Sequence, residues 1–88
     1  MKLRDGFILK EVAGNFVVIA VGDDVMDFNK VITVNEIGAL IWRALENGKD
    51  KNQIVASILG EYDIDRATVS VDFDEFIDTL REINIIID

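Results

Sequence analysis

The sequence predicts an α+β domain in which a three-stranded antiparallel sheet is followed by three helices. Three observations carry this. Apolar and β-branched runs fill the first third of the chain and end at Val34. From Asn35 onward the apolar residues recur at helical spacing in three successive stretches. The chain's 88 residues, half of them hydrophobic and none of them proline, suffice for one packed core and leave no room for a second. The expected domain is therefore residues 1–88.

The strands come first. Phe7-Ile8-Leu9-Lys10-Glu11-Val12 and Phe16-Val17-Val18-Ile19-Ala20-Val21 flank Ala13-Gly14-Asn15, and the Gly14-Asn15 pair is a hairpin signal. The second run is apolar almost throughout, as a central strand or one covered on both faces would be. Gly22-Asp23-Asp24 then turns the chain. Val25 to Val34 is less regular, with a break near Asn29-Lys30, and its clearest strand is Val31-Ile32-Thr33-Val34.

Each helix has a start signal. Asn35 suits an N-cap, because its side chain can accept from an orphan backbone N–H of the first turn. Ile37, Leu40, Ile41, Ala44 and Leu45 follow as an apolar stripe, and Gly48 stands where a left-handed residue ends a helix. Asp50 opens a second helix with Gln53 as its capping-box partner. Its apolar face is Ile54, Val55, Ile58, Leu59 and Tyr62, with fraying expected near Gly60. A third helix begins after Asp65 with a stripe of Val69, Phe73, Phe76, Ile77, Leu80 and Ile83, which leaves Val71 unexplained. The tail Ile85-Ile86-Ile87 is apolar enough to pack back on the domain.

Composition narrows the function. There is no cysteine and no histidine, so disulfides, thiolate zinc sites and Ser–His or Cys–His nucleophiles are excluded. No signal peptide is evident, and no apolar stretch approaches the roughly 20 residues that span a bilayer. A cytoplasmic address is the expectation. Acidic residues outnumber basic ones 17 to 9, for a net charge of −8. Phosphate-rich partners, whether nucleic acid or anionic membrane, suit this surface poorly. From Asp63 to Asp88 there are eight acids and two arginines, the wrong balance for a DNA-reading third helix.

The densest polar group is Asp72, Asp74, Glu75 and Asp78 on that helix. Helical spacing lets some of these carboxylates share a hard cation, but they do not wrap an ion as a calcium loop does. A solvated acidic face explains them without a metal, and no metal or other cofactor is expected. Trp42 and Tyr62 read as partly buried core residues rather than recognition aromatics. The remaining chemistry is that of the backbone. Two strands of a three-stranded sheet lie at edges and present unpaired N–H and C=O groups. If Val31–Val34 is such an edge, it either accepts a peptide as an added strand or is blunted by Lys30 and Thr33. A proline at Ile32 or at Thr33 would distinguish these alternatives. An acidic wall beside the edge would favour a peptide carrying Lys or Arg.

Val34-Asn35-Glu36-Ile37-Gly38-Ala39-Leu40-Ile41-Trp42 resembles the LN-x-T-G-x-x-I-W signature of the PqqD-like family, the precursor-peptide recognition elements of ribosomal peptide natural-product pathways. The likeness extends over nearly the whole chain. GFILKEVAGNFVVIAVG is similar to the family's first hairpin, ALENGKDKNQIVASILGEYDID to its helix-joining segment, and VDFDEFIDTLREINII to its final helix. Val34 replaces the usual Leu, Ile37 replaces Thr, and Asn84 stands where Gly is common.

The resemblance implies a winged-helix-like, non-catalytic domain that binds the leader segment of a precursor peptide. The leader would add to the third strand, lie against the third helix, and be presented to a modifying enzyme, commonly a radical SAM protein. Carried onto this chain, the pairing strand is Val31, Ile32, Thr33 and Val34. The groove wall comes from one flank of the third helix, either Asp72 and Thr79 or Ser70, Asp74 and Arg81. The rival readings are an adaptor that binds a folded partner and, more remotely, a DNA-binding regulator. Either a monomer or a homodimer is compatible with an exposed edge.

Overall fold

The computed structural model describes residues 2–21 and 32–87. Val31 and the Gly22-Asp23-Asp24 turn therefore lie outside the described residues, as does the irregular stretch up to Val31. The elements run β1 (Lys2–Leu3), β2 (Phe7–Val12), β3 (Asn15–Ala20), β4 (Ile32–Val34), α1 (Glu36–Glu46), α2 (Lys51–Glu61), α3 (Arg66–Glu82) and β5 (Ile86–Ile87). β2, β3 and β4 form an antiparallel sheet in that spatial order, and the three helices follow, which is the expected α+β architecture.

The β2–β3 hairpin turns one residue earlier than the Gly14-Asn15 pair suggests. Ala13 and Gly14 are the two central residues, both with positive φ (53° and 82°), and Val12 pairs with Asn15. Two positive φ values in a two-residue loop make the turn whose twist matches that of the strands. The register rewards the shift. It sets Val18 opposite Leu9 and Ala20 opposite Phe7, whereas a Gly14-Asn15 loop would set Val18 opposite Glu11. Val18 is fully buried, so a facing carboxylate would be costly there.

β1 and β5 form a second, two-stranded antiparallel sheet, Lys2 opposite Ile87 and Leu3 opposite Ile86. The apolar tail does pack back, and its partner is the charged N-terminal segment, which carries no strand pattern of its own. The end of α3 aims it there. Asn84 adopts a left-handed φ of 63°, its N–H donates to the Arg81 carbonyl, and the Ile85 N–H donates to Leu80. This pair of bonds is a Schellman closure, and Ile85 and Leu80 are both fully buried, completing its apolar contact. α1 ends the same way. Gly48, at φ 77°, donates to Leu45, and Lys49 donates to Ala44.

The core centres on Trp42, Phe73, Ile41, Ile54, Ile58, Leu80 and Ile85, all nearly inaccessible. α1 touches β1, β2 and β4 as well as α2 and α3. Enclosed on both sides, it buries Ala39 and Trp42 in addition to Ile41, while Ile37, Leu40, Ala44 and Leu45 of the expected stripe are only partly covered. Trp42 is thus more deeply buried than its position beside the stripe indicates, and its indole N–H has no partner among the described residues. α2 runs through Gly60 to Glu61 without fraying. Val71 is 54% exposed, consistent with its position off the α3 stripe.

Candidate functional site: a cavity beside an open strand edge

β4 has β3 on one side and, among the described residues, no strand on the other. The direction of its backbone groups follows from the hairpin. Val12 and Asn15 close a two-residue loop and are therefore a hydrogen-bonded pair, and the Val21 N–H donating to Gly6 at 2.7 Å continues that phase. Residues 15, 17 and 19 of β3 consequently bond toward β2, and residues 16 and 18 bond toward β4. Phe16 faces Val34 and Val18 faces Ile32, while Val17 faces Thr33. Ile32 and Val34 thus spend their N–H and C=O groups on β3. Thr33 directs both of its groups to the open edge.

The sequence fixes where this edge stops. Asn35 is extended (φ −82°, ψ 178°), and its side chain accepts from the Gly38 N–H at 2.7 Å, capping α1 one residue after β4. Gly38 is there for closeness. A Cβ on it would lie 3.2 Å from the Val34 Cβ, 3.3 Å from Asn35 Oδ1 and 3.5 Å from Phe76 Cε1. Strand, cap and third helix converge on this one bare Cα.

Between β4, the start of α1 and α3 lies a cavity of about 260 Å³. Its apolar floor includes Ile37, Ile41 and Phe76, and its α3 rim carries Asp72, Glu75 and Thr79. Both carboxylates are exposed, and among the described residues no lysine or arginine lines the cavity. The Thr79 hydroxyl donates back to the Glu75 carbonyl at 3.0 Å, which leaves its oxygen able to accept.

The expected site residues therefore divide. Ile32, Thr33 and Val34 line this cavity together with Asp72 and Thr79. Ser70, Asp74 and Arg81 do not. Asp74 instead receives both hydrogen bonds of Lys51, at 2.9 and 3.2 Å, tying α3 to α2. Arg81 lies 3.9 Å from Asp78 and, with Lys51, Phe73 and Asp74, borders a separate cavity on the α2 side. Ser70 is half-buried. By sequence pattern alone, Phe76 reads as core and Glu75 as part of an acidic face. The signal that groups them with the edge is spacing, since 72, 76 and 79 fall on one helical face with 75 beside them.

The acids of α3 thus point different ways, and among the described residues no three carboxylates gather where a metal ion could bind. At the first residue of α1, the Tyr62 hydroxyl donates to Glu36 at 2.7 Å, joining the end of α2 to the start of α1. That hydrogen bond to a carboxylate holds the phenol's pKa above its ordinary value. Among the described residues, no helix is long and apolar enough to cross a membrane.

Residues 15–86 match the family described as Coenzyme PQQ synthesis protein D (PqqD). The chain belongs to the PqqD family. No curated protein matches it in sequence. Among solved structures, it is similar to TbiB1 in complex with the TbiA(beta) leader peptide, at 27% identity and a TM-score of 0.76. That match covers 97% of this chain and 93% of the other. It is also similar in fold to lasso peptide synthetase B1 complexed with the leader peptide, at 20% identity and a TM-score of 0.74, over 92% of this chain and 89% of that one. The PqqD match includes β4, α1 and α3, the three elements that bound the cavity.

Proposed function

We propose that this chain binds the leader segment of a ribosomally made precursor peptide as a strand added to β4 beside α3, and presents it to a modifying enzyme. The observation that carries the reading is the coincidence of Thr33's outward N–H and C=O with the cavity between β4 and α3. Main-chain pairing to Thr33 supplies affinity, and the cavity accepts side chains of the added strand. Ile32, Thr33, Val34, Asp72 and Thr79 are the contact residues on this reading, and Val31, the fourth residue expected to pair, lies outside the described residues. TbiB1, similar over nearly the full length of both chains, is in complex with a leader peptide, which supports assigning peptide capture here.

The chain acts as one recognition domain without chemistry of its own, since it has no histidine or cysteine to serve as base or nucleophile at neutral pH. The modifying enzyme is, on this reading, of the radical SAM class that the family resemblance implies, and the expected address of both is the cytoplasm. The test is capture from the native host on the tagged full chain, read by mass spectrometry for peptides and proteins. Recovery of a small precursor peptide that the leader segment alone displaces is the expected result. Recovery of folded proteins only, with no peptide, would move the function to an adaptor.

A further inference from the structure

The chemistry of the cavity bears on which peptides it takes, an inference that rests on the peptide-docking reading above. The α3 rim is asymmetric. Its N-terminal half carries the exposed carboxylates Asp72 and Glu75, and its C-terminal half carries the neutral Thr79. Between them Phe76 forms the floor with Ile37 and Ile41. The Lys51 ammonium is paired with Asp74 on the opposite side of α3, so that cation does not compensate the rim. The whole chain adds a net charge of −8, which reinforces the sign of the local field.

Spacing sharpens this. Asp72 precedes Phe76 by one helical turn, about 6 Å along the axis. Side chains on one face of an added strand repeat at about 6.7 Å. For an added strand that runs along α3, an apolar side chain over Phe76 places its same-face neighbour, two residues away, beside the acidic end of the rim at Asp72 and Glu75. We infer that the cavity selects a leader bearing a large apolar residue and a lysine or arginine two positions from it. The apolar side chain fills the floor, and the cation neutralises the acidic end of the rim. A glutamate or aspartate at that second position is rejected by the same two carboxylates. Selection thus works by repulsion of the wrong charge as well as attraction of the right one.

The test is selection of a random-peptide display library on the full-length chain and, in parallel, on the D72N/E75Q variant, with helix content checked by circular dichroism. The expected result is enrichment of peptides with Lys or Arg two residues from a large apolar residue on the native chain, and loss of that charge preference on the variant. Synthetic copies of the enriched basic peptides should bind the variant about fivefold to tenfold more weakly at low salt, the loss shrinking as salt screens the pair. Peptides enriched with no charge preference, or with one that persists on the variant, overturn this inference and leave docking at β4 standing. If no peptide is enriched on either protein, the docking reading fails and this inference fails with it.

Discussion

Thr33 stands opposite Val17 as a non-hydrogen-bonded pair, so its main-chain N–H and C=O turn away from β3 toward the open edge of the sheet. Its neighbours Ile32 and Val34 face the other way. The three positions of β4 are therefore unequal in what a proline does to them. Thr33→Pro removes only the outward donor, in the edge-strand setting where proline is tolerated. It should leave thermal stability nearly unchanged and weaken peptide binding at least about tenfold, the cost of a main-chain hydrogen bond in a buried strand pairing. Ile32→Pro removes a β3–β4 ladder bond and should instead destabilise the fold by about 1–3 kcal/mol. Melting curves and peptide titration of the two variants, side by side, check the assignment. Equal effects on both properties would contradict it.

Gly38 concerns the geometry of the cavity rather than the strand. Helix propensity alone favours Gly38→Ala by up to about 1 kcal/mol. The added Cβ would meet Val34 and Asn35 at 3.2 and 3.3 Å, so the strand–helix junction must shift by a few tenths of an ångström. The expected outcome is a stability change of less than about 1 kcal/mol with weaker peptide binding, because the Val34 end of β4 is displaced at the rim of the cavity. Denaturant titration and peptide titration separate the two effects. Binding at native strength would show that the cavity does not depend on this close contact.

At the hairpin tip, Ala13 holds a left-handed φ of 53°. An L-residue with a Cβ pays about 1 kcal/mol for that conformation, and Asn pays less. Ala13→Asn should therefore raise stability by up to about 1 kcal/mol, seen as a higher urea midpoint with an unchanged slope. Since Ala13 is exposed and remote from the cavity lining, peptide affinity should not move. A lower midpoint would place the turn elsewhere.

Asp65 supplies a pH dependence. Its carboxylate accepts from the Thr68 N–H at 2.7 Å at the start of α3, and that backbone hydrogen bond lowers its pKa below the ordinary 3.8. A depressed folded pKa means that the unfolded chain takes up the proton first as pH falls. Its stabilising contribution is thus complete above the ordinary value and is lost as pH drops through 3.8 toward the lower folded value. Asp65→Asn keeps an acceptor at the cap without the titration. The variant should lose less stability than the native chain between pH 5 and pH 3, measured as urea midpoints across that interval. Parallel pH profiles would remove Asp65 as a source of acid sensitivity.

What could be read from the sequence was mostly local. Asn35, the Asp50–Gln53 box and Asp65 all cap the helices they precede, because each cap is satisfied within three residues. Gly48 likewise ends α1 in the left-handed region. Features that depend on distant partners were harder. β1 is two residues long, and its pairing is with β5 at the other end of the chain. The hairpin turn moved by one residue because apolar cross-strand pairs outweighed the Gly-Asn signal. Trp42 is buried because α1 is covered on both sides, which helical periodicity alone does not encode. The strand at the edge was legible, but the flank of α3 beside it was not. Both flanks border the same apolar stripe, and only packing tells them apart.

The most direct test of strand addition is amide hydrogen exchange at β4, residue by residue, with and without a saturating amount of the peptide recovered from the host. Ile32 and Val34, already bonded to β3, should be protected in both states. The Thr33 amide should exchange freely in the unbound chain and slow by at least about tenfold when the peptide is present. A Thr33 amide that stays fast while the peptide is bound would show that the peptide does not pair with β4.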